Sequence, residues 1–260
     1  EDPEVAKLTQ QARQAVEAVI FPLAERLFNE ASQRDEQAAQ HLQQVATTRL
    51  TSAAAARAAS GDLHMVQLNV VKAQAYYQKA LKVLPSSDKE HRGQYLNSLG
   101  NSLREVGMRT EGADIQKFLR EAADAYREAL TVYTKDQLPQ QWAMMQNNLG
   151  NVLREQGTRT SGEAGTQLLA QAVTAYQAAL EVRTKAALSQ QWAMTQNNLG
   201  NVLEEQGTRT GGEAGKALIR QAMTAYEFAL EVRTRDALPA QWEQTMANLE
   251  RAKKALEGMK

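Results

Sequence analysis

Pairs of asparagines recur at a fixed spacing in this chain, and their side chains are the polar groups best suited to binding another molecule. Asn147 and Asn151 are followed fifty residues later by Asn197 and Asn201. An asparagine amide offers both a donor and an acceptor, so a row of amides can satisfy the unpaired backbone groups of an extended peptide. The chemistry that these residues support is peptide binding.

Charged residues accompany these asparagines at one recurring position. Arg104 and Arg154 share a helical-wheel position with Glu204 and Lys254, and such alternation favours a peptide of mixed charge. Two alternatives stay open: ordinary pairing on a helix surface for the charges, and bonding to the neighbouring repeat or to water for the asparagines. The candidate peptide-binding set is Asn97, Asn101, Arg104, Asn147, Asn148, Asn151, Arg154, Asn197, Asn198, Asn201 and Glu204.

Other kinds of chemistry find no support in the residue types. The chain has no cysteine, and His41, His64 and His91 are scattered without the spacing of metal ligands. The glycines from Gly211 resemble a phosphate-binding loop only superficially, because Ala217 replaces the required Ser or Thr and no strand precedes them. No nucleophile, base and orienting residue can be grouped, so we expect no catalytic residue, no metal, no cofactor and no enzymatic activity.

Composition narrows the class of partner. Thirty basic and thirty acidic side chains cancel, whereas nucleic-acid or anionic-membrane partners normally require a basic excess. No apolar run approaches the length of a membrane span, so we expect a soluble chain and favour the cytoplasm. Because the sequence starts at Glu1, a removed signal peptide with a periplasmic or secreted location stays open.

An internal repeat organises the chain. Residues 142–191 and 192–241 are identical at 36 of 50 positions, a third copy starts at Tyr95, and a partial fourth starts at Trp242. A fixed period of this size is typical of stacked supersecondary units rather than of one globular core. Ala, Leu, Gln, Glu and Arg dominate the composition, which predicts an all-α class.

Two kinds of helix alternate within each repeat. In the first, Trp142, Leu149 and Gly150 cluster on one side, while Asn147 and Asn151 lie opposite. The second carries small residues around a tyrosine, which lets a neighbouring helix approach closely. The four sets are Ala73, Tyr77, Ala80 and Leu81; Ala122, Tyr126, Ala129 and Leu130; Ala172, Tyr176, Ala179 and Leu180; Ala222, Tyr226, Ala229 and Leu230.

This pattern resembles the tetratricopeptide repeat (TPR) family. The Leu-Gly pairs at 99–100, 149–150 and 199–200 match its first helix, and the alanine and tyrosine sets match its second. The period of fifty is longer than the family's usual repeat, and Thr134, Thr184 and Thr234 replace its closing proline. The resemblance implies a right-handed α-solenoid of stacked antiparallel helix pairs, about ten helices in all, with the asparagines on its concave surface.

Helix boundaries follow from local signals. In the N-terminal part, Pro22 should kink or split a helix, Ser32 should start another, and Gly61 should end it with Asp62 capping a helix over 63–84. This predicts helical capping elements over 1–61 and a repeat array over 62–260, closed by a capping helix from about residue 238. Further expected boundaries are helix starts near Pro139 and Pro239, helix ends at Gly107, Gly157 and Gly207, and a cap at Thr160 or Ser161.

The resulting hypothesis is a non-enzymatic scaffold or adaptor that holds an extended or helical segment of another protein in its concave groove. The long repeats resemble those of bacterial multidomain proteins, which favours an adaptor role. Two alternatives remain: a structural protein that self-assembles into homo-oligomers through residues 1–61, and a regulator that senses a short peptide. Tryptophans 142, 192 and 242 are expected to be packing anchors.

Overall fold

Ten α-helices and no strand make up the part of the chain that the structure, a computed structural model, describes: residues 2–110, 112 and 114–259. The predicted all-α class is therefore confirmed. The helices are α1 (Pro3–Glu17), α2 (Phe21–Val66), α3 (Val70–Val83), α4 (Lys89–Arg109), α5 (Asp114–Val132), α6 (Pro139–Arg159), α7 (Gly162–Leu180), α8 (Ser189–Thr210), α9 (Gly212–Leu230) and α10 (Pro239–Gly258).

The helices stack in antiparallel pairs. Helix α2 packs on α3, α4 on α5, α6 on α7 and α8 on α9, and each pair then packs on the next. The first helices of successive pairs also touch, since α8 contacts both α6 and α10. One continuous core runs from Ala54 in α2 to Ala252 in α10. The chain is an α-solenoid, as predicted, while the hand of its superhelix stays a prediction.

A glycine and a tyrosine lock each pair together. At Gly150, a Cβ atom would lie 2.8 Å from Cε1 of Tyr176, whose side chain is fully buried. Any larger residue at this position would displace the ring, so the missing Cβ is what lets α7 lie close to α6. The equivalent contacts join Gly61 to Tyr77, Gly100 to Tyr126 and Gly200 to Tyr226.

Arginines of the turns tie one repeat to the one before it. At the end of α8, Arg209 Nη1 donates to the carbonyls of Gly157 and Thr160, and its Nη2 donates to the carbonyl of Thr158, each at 2.9 Å. A cation is favoured at a helix C-terminus, where carbonyl groups lack partners. Arg109 reaches the Leu68 carbonyl in the same way, at 3.2 Å.

The N-terminal boundaries differ from the prediction. Pro22 does separate two helices, because α1 ends at Glu17 and Pro22 lies in the first turn of α2. The predicted start at Ser32 is wrong, since good helix formers on both sides keep α2 continuous for 46 residues. The predicted end at Gly61 is also wrong, because this glycine makes room for Tyr77. The expected boundary between 1–61 and 62–260 therefore falls inside α2.

The expected cap at Asp62 is wrong for the same reason. Its carboxylate lies inside α2 and accepts a hydrogen bond from the Tyr77 hydroxyl at 2.7 Å. Helix α3 instead starts at Val70, after Leu68 adopts a positive φ of 58°. The turn between α2 and α3 is thus several residues later than the sequence indicated.

The glycines expected to end the first helices lie inside them. Helix α6 continues past Gly157 to Arg159. A Cβ at Gly157 would lie 2.9 Å from the Leu169 side chain and 3.1 Å from the Gly165 carbonyl oxygen. Gly157 therefore serves close packing rather than helix termination, and Gly107 and Gly207 likewise lie within α4 and α8. Ser161 is the N-cap residue of α7, but its side chain makes no capping bond.

Helix α10 closes the array from Pro239, as predicted, and α6 likewise starts at Pro139. In α10, Leu249 and Ala252 are buried in the core, whereas Glu250 is exposed and accepts a hydrogen bond from Lys253 at 2.8 Å. Glu250 and Lys253 stand where the preceding repeat has Gly200 and Leu203. The outer side of α10 is therefore polar.

Candidate peptide-binding groove

The eleven candidate residues lie on one side of the first helices α4, α6 and α8, which we call the asparagine face. Residues three, four and seven apart on a helix point in similar directions, so the positions along each helix are brought together. The exposed member is Asn101. Partly exposed are Asn97, Asn148, Asn151, Asn198, Asn201, Arg104 and Arg154, and buried are Asn147, Asn197 and Glu204.

A tyrosine fixes the orientation of one asparagine in each repeat. The Tyr176 hydroxyl donates to Asn151 Oδ1 at 2.8 Å, and burial raises the pKa of this tyrosine well above its usual range. The side-chain oxygen of Asn151 therefore points towards α7, and its Nδ2 group is left to point away. The equivalent bonds run from Tyr126 to Asn101 at 2.7 Å and from Tyr226 to Asn201 at 2.9 Å.

The Nδ2 groups of Asn101, Asn151 and Asn201 are available to a ligand. Among the described residues, no side chain or carbonyl accepts from them, and none belongs to the buried polar atoms that lack a partner. They therefore reach solvent. A row of outward amide donors, one in each repeat, results from the inward row of tyrosine hydroxyls.

Other asparagines bond across from one first helix to the next. Asn148 Nδ2 donates to Asn97 Oδ1 at 3.2 Å, and Asn198 Nδ2 donates to Asn151 Oδ1 at 3.2 Å. In α10, Asn248 Nδ2 donates to Asn197 Oδ1 at 3.1 Å. These bonds hold successive first helices in register.

Asn147 and Asn197 depart from the expected open row. They are only 3% and 4% exposed. Both polar atoms of the Asn147 amide are hydrogen-bonded, since Oδ1 accepts from Thr195 and Nδ2 donates to Asn148. The physical reason is the close spacing of α6, α8 and α10, which a wheel drawn for one helix does not show. The side-chain donors that remain for a ligand are the Nδ2 groups of Asn101, Asn151 and Asn201.

Two of the predicted charges are paired with the following repeat. Arg104 binds the Glu155 carboxylate through Nε at 3.0 Å and through Nη2, and Arg251 binds Glu204 through Nε at 2.7 Å and Nη2 at 2.8 Å. Burial alone would lower the pKa of Arg104, but the hydrogen bonds and charge of Glu155 raise it. The hydrogen bonds that Arg251 donates to Glu204 likewise raise the pKa of Arg251. Both carboxylates are buried, so each depends on its arginine.

Arg154 is the exception among the three predicted charges. It makes no ion pair among the described residues, and it lines a cavity of about 290 Å³ that we call the α8–α10 cleft. The candidate residues Asn201 and Glu204 line the same cavity. The remaining lining residues are Thr158, Glu205, Thr208, Gln244, Asn248 and Arg251.

Sequence reasoning missed the contribution of α10 to this cleft. Gln244, Asn248 and Arg251 stand fifty residues after Met194, Asn198 and Asn201, so their register was visible in the sequence. A capping helix is expected to be polar on its outer side, so these polar residues give no separate signal of a cleft. Helix α10 thus forms one wall of the cleft as well as closing the core.

The histidines, the glycine turn after α8 and the acidic residues form no other kind of site among the described residues. Over the described residues, no three His, Cys, Asp or Glu side chains lie close enough to hold a metal ion. His91 Nδ1 lies 2.9 Å from the Asp88 carboxylate, which caps α4. Gly211 and Gly212 form the turn between α8 and α9 with φ values of 67° and 57°. No helix in the described part of the chain has both the length and the apolar character of a membrane span.

Comparisons with known proteins add no functional information. No protein-family model and no curated protein matches the chain. A solved structure with a similar fold is the crystal structure of BtubC (BKLC) from P. vanneervenii. It is 18% identical, with a TM-score of 0.48, and the match covers 99% of this chain and 86% of that one. A likeness this distant carries no inference about function.

Proposed function

We propose that this α-solenoid is a non-enzymatic interaction scaffold that binds a peptide segment of another protein along the asparagine face. The binding surface extends from the donors of α4 and α6 to the α8–α10 cleft. The observation that carries the proposal is the row of outward Nδ2 groups on Asn101, Asn151 and Asn201, each held in place by a buried tyrosine.

This geometry assigns a direction to the hydrogen bonds. Asn151 Oδ1 already accepts two hydrogen bonds, from Tyr176 and Asn198, so this amide can only donate to a ligand. In Asn101 and Asn201 the tyrosine bond likewise leaves Nδ2 as the outward group, and the natural acceptors of these donors are main-chain carbonyls. Such bonds are independent of the peptide's side chains and give affinity rather than selectivity. Pre-oriented donors also lose less conformational entropy on binding than free side chains do.

Selectivity would come from the charges in the α8–α10 cleft. Arg154 contributes a cation without an ion-pair partner, and the Glu204 carboxylate is already bonded by Arg251. A peptide that places an acidic side chain beside Arg154 gains a charge-assisted bond there. We therefore expect peptides with an acidic residue at the position that reaches this cleft.

The test is a display selection of short random peptides on the whole chain, followed by calorimetric titration of the selected peptides. Asn151→Ala and Asn201→Ala each remove one donor and should weaken binding by several-fold, since one hydrogen bond contributes about 0.5–1.5 kcal/mol. Arg154→Met should weaken the binding of acidic peptides by about tenfold.

A matched control separates binding from stability. Tyr176→Phe breaks the same hydrogen bond as Asn151→Ala but leaves the Nδ2 donor in place. Its effect on peptide affinity should be smaller than that of Asn151→Ala. Affinities unchanged by Asn151→Ala, Asn201→Ala and Arg154→Met would refute the assigned surface.

Self-assembly is a second candidate function, and the turn between α1 and α2 favours it. Val19, Ile20 and Phe21 are 68%, 49% and 61% exposed and adjacent, which makes an apolar tip. Light scattering on the chain and on an Ile20→Ser/Phe21→Ser variant tests this function. A monomer in both cases excludes it, whereas an oligomer that dissociates in the variant supports it.

A further inference from the structure

Two buried arginines have no acidic partner. Arg183 and Arg233 follow α7 and α9 and are 5% and 8% exposed. Each donates through Nη1 to one threonine hydroxyl, Thr195 at 2.9 Å and Thr245 at 3.0 Å. In the described part of the chain, neither forms an ion pair, unlike Arg104 and Arg251.

Packing alone does not require a charge at this position. The repeat before Arg183 has Tyr133 at the same register, and that side chain is buried against Gly93. Burying a guanidinium without an opposite charge is unfavourable. The same desolvation lowers the pKa of both Arg183 and Arg233. A neutral side chain would therefore stabilise the array at least as well.

A cavity lies beside Arg233. It has a volume of about 250 Å³, and its other lining residues include Gln190, Gln191, Met194 and Gln241. Only Nη1 of the arginine has a partner, although a guanidinium carries five N–H donors. The nitrogens Nε and Nη2 are not among the buried polar atoms without a partner, so they reach solvent.

Two helix N-termini border the same cavity. Gln190 and Gln191 lie in the first turn of α8, and Gln241 lies in the first turn of α10. The residues at the N-cap positions, Leu188 and Leu238, offer no side-chain acceptor to the N–H groups of these turns. Unpaired N–H groups and the helix dipole favour a negative charge at such a position.

The cavity belongs to the asparagine face. Gln190 precedes Asn197 by seven residues and Met194 precedes Asn201 by seven, so both pairs point in nearly the same direction on α8. The Arg233 cavity and the α8–α10 cleft therefore lie along one side of α8, towards its two ends. A peptide that follows the asparagine face can reach both.

We propose that Arg233, and Arg183 one repeat earlier, each bind a carboxylate of a partner peptide at the N-terminal ends of the first helices. This inference rests on the proposed peptide-binding function. The planar guanidinium pairs two N–H groups with the two oxygens of a carboxylate. Arg233 is the one charged residue among those that line its cavity, and a single positive charge fits a carboxylate better than a phosphate dianion.

The direct test observes the arginine side chains by nuclear magnetic resonance. In the whole chain labelled with ¹⁵N-arginine, the Nε–H signals of Arg183 and Arg233 are assigned from their loss in Arg183→Met and Arg233→Met. The probe is N-acetylglutamic acid amide, and N-acetylglutamine amide is the neutral control. We expect saturable shifts of both signals with the glutamic acid derivative and none with the glutamine derivative.

Two results in this experiment would overturn the inference. One is an equal response to the acidic and neutral derivatives, or no response to either. The other is a stronger response to inorganic phosphate or sulfate, which would make the site one for a different anion. Circular dichroism checks that both arginine variants fold. Arg233→Lys keeps the positive charge but loses the paired N–H groups of the planar guanidinium, so it should bind the glutamic acid derivative more weakly.

A second arm separates this inference from the proposed function. For acidic peptides obtained by display, Arg233→Met should weaken binding by about tenfold, as expected for loss of a charge-assisted pair. Lys185→Met, which removes an exposed cation, should change it less than twofold. Selected peptides that are neutral and insensitive to Arg183→Met and Arg233→Met would refute the carboxylate sites and leave peptide binding intact. A selection without any peptide would refute the proposed function, while the glutamic acid titration would still test the arginines.

Discussion

The N-terminal part of α2, residues 21–53, and the helix α8 have the same helical backbone conformation but are held in place differently. Over residues 21–53, α2 buries only Ala24 and Ala31, and α1 is its principal neighbour. Helix α8 is half as long as the whole of α2, yet it packs against α7 and α9 and also touches α6 and α10. Its ten buried residues are Ala193, Thr195, Gln196, Asn197, Leu199, Gly200, Val202, Leu203, Glu204 and Gly207.

The difference shows that the number of neighbours, more than helix propensity, decides how strongly a segment is held. Burial of apolar area contributes about 25 cal/mol per Å², and alanines offer little of it. The small core of the N-terminal region consists of Val5, Leu8 and Ala31, with Leu27 against it. We therefore expect the array to carry most of the free energy of unfolding.

Replacing one large aromatic residue in each region should give the largest contrast. Tyr176→Ala removes a fully buried ring and should lower the free energy of unfolding by about 3–5 kcal/mol. Phe28→Ala, at a ring that is 40% exposed, should cost less than about 1 kcal/mol. Urea titrations followed by circular dichroism measure both. Equal losses would contradict the contrast.

Adding one methyl group at a close contact should have the next largest effect. Gly150→Ala places a Cβ 2.8 Å from the Tyr176 ring, and such overpacking costs about 1–3 kcal/mol. In a helix without that contact, alanine is favoured over glycine by about 1 kcal/mol. Gly258→Ala, with no atom within 4 Å, is the control and should be neutral or stabilising. Thermal unfolding of the two variants tests the sign.

Removing one side of a buried ion pair should have a moderate effect. Arg104→Met leaves the Glu155 carboxylate, whose side chain is 4% exposed, without its cation, at a cost of about 1–3 kcal/mol. Adding Glu155→Gln should recover part of the loss. In the control Arg127→Met, the partner Asp124 is exposed, so the change should stay below about 0.5 kcal/mol. Urea titration of the single and double variants provides the comparison.

The smallest effect is expected in the N-terminal part of α2, residues 21–53. Leu42 is 69% exposed, so Leu42→Gln should change the free energy of unfolding by less than about 0.5 kcal/mol. The backbone amides of residues 35–50 should also exchange with deuterium faster than those of α8, because fewer contacts oppose local opening. Slow exchange over this segment of the isolated chain would mean that another copy covers it.

The repeating features of the fold could be read from the sequence, because they depend on residues within one repeat. The sequence places Gly150 on the core side of a first helix and Tyr176 in the second helix of the same pair, and Pro139 and Pro239 do start helices. Gly61 was misread because its packing partner Tyr77 lies sixteen residues later, beyond any local signal. Helix ends that depend on a distant side chain cannot be deduced from the residues beside them.

The candidate site was predicted in position but not in chemistry. The sequence located the asparagines on the first helices, yet not the tyrosine bonds that orient the Nδ2 groups of Asn151 and its equivalents outward. It also did not show that Arg251 would bind Glu204 across a repeat. Both features are side-chain bonds between separate helices, and their geometry depends on how the helices pack.

The pairing of Glu204 with Arg251 also bears on how a chain with near-duplicate segments avoids folding out of order. The pairs α6–α7 and α8–α9 come from stretches identical at 36 of 50 positions, so each could occupy the place of the other. In such an exchange, Arg251 would meet Arg154 instead of Glu204, and repulsion between like charges would replace two hydrogen bonds. One acidic residue at a position that is basic in the other repeats therefore marks which of the two duplicates comes last.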